Sequence, residues 1–166
     1  MTLTLAAVGA VVAALLQSTV VPYLGIEGAR PDLILVYTVT VTIVIGLDHG
    51  LTSAFFGGLT IDVLAPRPLG STAFVLLVMV GVAALIGRAL GRTEALSTIV
   101  AVFATAVLAP LLFLVVYGAL RGPIPVEDPL VTILPDVIYT TAIGVVAGPA
   151  AVLLHRRYFE RDRVDW

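Results

Sequence analysis

The chain alternates long apolar runs with short polar interruptions along its whole length. A helix that crosses a bilayer needs about 20 predominantly apolar residues. Six segments reach or approach that length, at about 2–24, 31–47, 50–64, 69–87, 95–120 and 135–154. The pattern predicts an all-α polytopic membrane protein, one integral membrane domain of six transmembrane helices with a short basic tail over 155–166. The second and third segments are short, and Asp48, His49 and Gly50 form the turn between them. They read as a hairpin that stops short of one interface. Pro110 and Pro149 fall inside the fifth and sixth segments, where kinks are expected and neighbouring helices take up the freed carbonyls. No basic residue precedes the first apolar run, so that run reads as a retained helix rather than a cleaved signal peptide.

Composition strengthens this picture. Of the 166 residues, 60% are hydrophobic and 12% are charged, against about 25% charged in a soluble domain. The mean hydropathy is +1.12. All nine cationic side chains are Arg, and there is no Cys, which excludes disulfides, thiolate metal sites and cysteine nucleophiles. A formal net charge of −2 gives no reason to expect nucleic-acid binding. Arg placement sets the expected orientation, because cytoplasmic segments carry the excess of basic residues. With the N-terminus inside, Arg88, Arg92, Arg156, Arg157, Arg161 and Arg163 are cytoplasmic, and Arg30, Arg67 and Arg121 are outside. Both termini are therefore expected in the cytoplasm. Residues 121–134 carry three prolines and two acids and read as an irregular outer loop.

Small residues recur at four-residue spacing on three segments. Such rows let membrane helices approach closely. The first segment carries Ala6, Ala10 and Ala14, followed by Gln17 on nearly the same face. The third carries Gly50, Ala54 and Gly58, and Asp62 continues the row. The last carries Thr140, Gly144 and Gly148, with Asp136 at its head.

Three acids lie beside these helices. Asp32 follows Pro31 and Asp136 follows Pro135, and each Pro-Asp pair fits a helix start, where Pro is tolerated and a carboxylate is favoured by the dipole. Asp62 instead lies near the end of its segment, ahead of Pro66, where the dipole opposes it by about 0.3–1 kcal/mol. An acid in a membrane helix needs a partner or a water-filled cavity. Asp62 is expected to pair with Arg30 or Arg67, or to accept hydrogen bonds from the turn 65–70, and so to fix that end of its helix.

Catalytic constellations are lacking. Residues 58–62 do not give the Gly-x-Gly-Asp arrangement of intramembrane aspartyl proteases. Ser18, Ser53, Ser71 and Ser97 have no His at a suitable place, and His49 and His155 show no metal-ligand spacing. The sequence therefore gives no enzyme, cofactor or metal site.

The residues match a family pattern. Leu16-Gln17 closes the first helix, Arg30-Pro31-Asp32 opens the second, and Ala54, Gly58 and Asp62 are followed by Leu69-Gly70. Pro149 and the basic pair Arg156-Arg157 complete it. In this order and spacing the chain resembles the rod shape-determining MreD family over essentially its whole length. The resemblance implies glycine at position 54, and Ala54 is small enough to keep the close approach. The resemblance implies a non-enzymatic scaffold in the cytoplasmic membrane of bacteria, acting in cell elongation and lateral peptidoglycan synthesis. It implies binding to MreC, a single-pass protein, in a complex with the MreB filament and the RodA–transpeptidase synthase. The expected structural or partner-binding residues are Ala6, Ala10, Ala14, Gln17, Arg30, Pro31, Asp32, Gly58, Asp62, Arg67 and Gly70. The partner's helix is expected on the small-residue face of the first helix or on the outer rim of the second to fourth. The family's fold resembles the S components of energy-coupling-factor vitamin transporters. A substrate-binding S component, docking through the Ala6, Ala10, Ala14 row and holding a vitamin on its outer side, is the alternative reading.

Overall fold

The computed structural model describes residues 2–24, 29–65, 67–90, 95–121 and 129–159. They form seven helices: α1 Leu3–Thr19, α2 Val21–Leu24, α3 Leu33–Val44, α4 Leu47–Leu64, α5 Ser71–Leu90, α6 Ala95–Arg121 and α7 Pro129–Phe159. The short α2 follows α1 after Val20, so the seven helices make six rods. Four stretches are long and apolar enough to cross a membrane: Leu3–Tyr23, Ser71–Leu90, Leu96–Leu120 and Leu134–Leu153. The protein is an all-helical integral membrane protein.

The arrangement centres on α3. Nine of its twelve residues are buried, on every side of the helix. A helix buried all round belongs to the middle of a bundle, and α3 touches α1, α4, α5, α6 and α7. Two of its three threonines turn their hydroxyls back onto their own helix: Thr38 donates to the Leu35 carbonyl at 3.0 Å and Thr42 to the Thr38 carbonyl at 2.6 Å, while the buried Thr40 hydroxyl has no partner among the described residues. At 12 residues α3 is about 18 Å long, at 1.5 Å per residue, well short of the roughly 30 Å hydrocarbon layer.

The link from α3 to α4 differs from the expected one. The chain turns at Ile45 and Gly46, not at Asp48, His49 and Gly50, and α4 begins at Leu47. Gly46 has φ 143°, a conformation that side chains with a Cβ rarely adopt, so the turn falls where glycine permits it. Asp48 then lies in the first turn of α4, where the helix dipole favours a carboxylate. At the other end of the chain α7 begins at Pro129, before the expected start at residue 135. Pro129 suits a first helical position, and Pro135 becomes an interior residue. The expected outer loop 121–134 is thus helical from 129, and residues 122–128 lie outside the described ones, as do 160–166 of the tail.

Small residues set the spacing between rods. Ala6, Ala10 and Ala14 are each fully buried. α1 packs most extensively on α4, and a Cβ on Gly57 of α4 would reach the Ala10 Cβ at 3.2 Å. The Ala row is therefore filled from within the chain and is not open to a partner helix. Gly144 and Gly148 bring α7 against Val102 and Thr98 of α6. The closest approach to another helix's backbone is at Gly58, where an added Cβ would strike the Ala73 backbone, with its nitrogen at 2.7 Å. Backbone cannot move aside as a side chain can. Gly58→Leu is expected to abolish a monodisperse folded protein in size-exclusion chromatography. Gly81→Ala, placed where an added Cβ meets nothing within 4 Å, is expected to elute as wild type.

Candidate functional site: the capped end of the bundle

The polar residues singled out in the sequence gather at one end of the bundle. The C-terminal ends of α1 and α4 and the N-terminal ends of α3 and α5 meet there, together with the first half of α7. Helix N-termini carry N–H groups with no partner in their own helix, and such groups cannot stay unsatisfied when buried. The site is the set of side chains that satisfies them.

At α5 the acceptor is Asp62. It is 2% exposed and lies in the last turn of α4. Its carboxylate accepts from the Gly70 N–H at 2.8 Å and from the Thr72 N–H at 3.0 Å, with longer contacts to the Ser71 hydroxyl at 3.4 Å and the Ala73 N–H at 3.5 Å. Gly70, at φ 90°, turns the chain so that its N–H faces back toward α4. Asp62 thus caps the next helix rather than its own. The α5 dipole favours the charge that the α4 dipole opposes. The turn supplies one donor, Gly70, as expected, and the other donors come from the first residues of α5. Pairing with arginine does not occur: among the described residues no Arg lies within ion-pair distance of Asp62, and the Arg67 guanidinium stacks over the Phe113 ring at 4.8 Å.

At α3 three elements share the task. Asp32 caps its own helix, accepting from the Leu35 N–H at 3.0 Å, as the Pro31-Asp32 pair predicted. Gln17, at the end of the Ala row on α1, accepts from the Ile34 N–H at 2.8 Å through its side-chain oxygen. Thr140 on α7 accepts from the Asp32 N–H at 3.0 Å. Two residues before Asp32, the Arg30 backbone N–H donates to Asp136 at 2.7 Å. Asp136 is therefore not the N-cap of its helix. Because α7 starts earlier, Asp136 sits inside it and reaches across to the strand of chain entering α3. Pro31 is buried within this junction.

Between these capped ends lies a cavity of about 630 Å³. Arg30, Asp32, Arg67 and Asp136 line it, with Gln17 and Thr140, over a floor that includes Leu35, Val75 and Leu76. Asp62 lies behind its wall. Tyr23, in α2 beside this end, is 90% exposed. Sequence reasoning missed Thr140 as the acceptor for Asp32, although its place one turn after Asp136 was visible. It also missed Phe113 as the partner of Arg67, for which the sequence carries no local signal. Among the described residues no group of His, Asp or Glu is arranged to hold a metal ion.

The fold and this site define a compact helical membrane protein whose buried charges terminate helices. A family model described as rod shape-determining protein MreD matches residues 2–124. The chain therefore belongs to the MreD family, and its role lies in rod shape determination. The matched region holds α1 to α6, so Asp136 and Thr140 of α7 lie beyond it. No curated protein and no solved structure matches the chain.

If Asp62 is the acceptor that permits α5 to start inside the bundle, Asp62→Ala leaves the Gly70 and Thr72 donors unpaired. A buried unpaired donor costs about 1–3 kcal/mol, so the expected loss in an unfolding titration is at least about 2 kcal/mol. Asp62→Asn keeps one oxygen and should lose less. An Asp62→Ala protein that unfolds with the wild type would contradict the cap.

Proposed function

We propose that this protein is a non-catalytic membrane scaffold of the bacterial cell-elongation complex, holding a single-pass MreC-like protein and supporting lateral peptidoglycan synthesis. The observation that carries this reading is that the acids at this end are spent on backbone N–H groups. Asp62 and Asp32 terminate helices and Asp136 anchors the entry to α3, which leaves a rigid end rather than a poised acid or base. Membership of a shape-determining family supports the same role.

In this reading the chain lies in the cytoplasmic membrane with six passes, α3 being short for a span and α4 less apolar than the other four. A centrally buried α3 need not match the lipid thickness, because protein rather than hydrocarbon surrounds it. The Arg30/Arg67 end faces outward and both termini are cytoplasmic, following the Arg imbalance. The partner's helix lies on the rim of α4 and α5, where Val63 and Leu69 are 71% and 73% exposed. MreB filaments and the RodA–transpeptidase synthase join the same complex.

The cavity favours a second reading, a vitamin-binding S component. Against it stands the burial of Ala6, Ala10 and Ala14 under α4, since that row is the surface such a protein would use to dock. Affinity purification from a native membrane separates the two. A bitopic MreC-like protein is expected to co-purify, with recovery falling at least about fivefold for Val63→Arg/Leu69→Arg, which inserts two charges into an apolar contact. Recovery of an ATPase-bound transporter subunit with a retained vitamin would overturn the scaffold. Undiminished recovery of the bitopic partner by the double variant would overturn the rim.

A further inference from the structure

The helix caps leave part of the cavity's chemistry unused. Arg30 and Arg67 bring two guanidinium groups to it, and Asp32 and Asp136 bring two carboxylates. Among the described residues these four form no salt bridge with one another: Asp136 meets the Arg30 backbone, and Arg67 stacks on Phe113. Only Oδ1 of Asp136 is engaged by a described residue.

The charge pattern narrows the ligand class. An anion alone would meet two carboxylates, and a cation alone would meet two guanidiniums. A molecule carrying both charges answers both pairs. The floor adds an apolar requirement, since it runs one turn into α5 at Val75 and Leu76. The volume of about 630 Å³ lies within the range of sites for small organic ligands, about 300–1,000 Å³. The cavity opens at the ends of membrane-spanning helices, the level at which lipid headgroups lie.

We propose that this cavity binds the headgroup of a zwitterionic phospholipid bearing a free ammonium. The phosphate lies at Arg30 and Arg67, whose guanidiniums suit phosphate oxygens. The ammonium lies at Asp136 and Asp32, and the glycerol and first methylenes rest on Leu35, Val75 and Leu76. The inference is independent of which protein partner the rim holds.

Native mass spectrometry of the detergent-purified full chain tests it, with phosphatidylethanolamine, phosphatidylglycerol and soluble glycerophosphoethanolamine as probes. The wild type is expected to retain phosphatidylethanolamine at least about fivefold better than phosphatidylglycerol, because only the former supplies a cation for the carboxylates. Arg67→Gln should weaken both lipids by about tenfold. Asp136→Asn keeps an oxygen for the Arg30 N–H and should erase the preference. Arg30→Gln is a second variant, which removes one guanidinium from an exposed side chain. It should weaken phosphatidylethanolamine several-fold while leaving the melting temperature unchanged. Equal retention of the two lipids by the wild type, or undiminished binding by Arg67→Gln, overturns the site. Full displacement by equimolar glycerophosphoethanolamine overturns the lipid and assigns a soluble zwitterion.

Discussion

A helix that starts inside a protein brings N–H donors that water cannot reach, and this constraint governs the architecture. Both α3 and α5 begin within the bundle. Each start is answered by a carboxylate, with Asp32 in sequence and Asp62 from the neighbouring helix. The second solution is the more consequential. A carboxylate on α4 that caps α5 fixes the two helices end to end, so their packing at Gly58 and Ala73 occurs in one register only. Removing the charge would release donors, dipole and packing together.

The junction at α3 extends the same logic to three helices. Gln17 from α1 and Thr140 and Asp136 from α7 bond to residues 30 to 34. α3 is too short to act as an independent span, and it is buried on all sides. Its position must therefore be set by its neighbours. These bonds set it at one end, and the Gly46 turn sets it at the other. A bundle pinned at its centre and locked at α4–α5 presents a fixed outer surface, as the proposed scaffold role requires.

Much of this was legible in the sequence, for identifiable reasons. Apolar runs gave the rods because span length is a local property. The four-residue rows gave the close faces because helical period is local as well, and Asp32 gave its cap because Pro-Asp acts on adjacent residues. The position of Asp62 against its own dipole marked it as unusual without revealing its partner. That partner was a helix start eight to eleven residues away. Asp136 was misread because the start of α7 moved to Pro129, and two prolines in that stretch offered equal local signals. The Arg67–Phe113 stack and the cavity depend on α4, α5 and α6 meeting in space. No local pattern encodes such a meeting.

Amide hydrogen exchange at the two helix starts tests the central claim most directly. The account predicts that the N–H groups of Thr72 and Ile34, bonded to Asp62 and Gln17, exchange as slowly as amides in the middle of α3 and α5. It also predicts that Thr72 alone loses that protection in Asp62→Ala. Rapid exchange of Thr72 and Ile34 in the wild type, at the rate of an exposed turn, would contradict it.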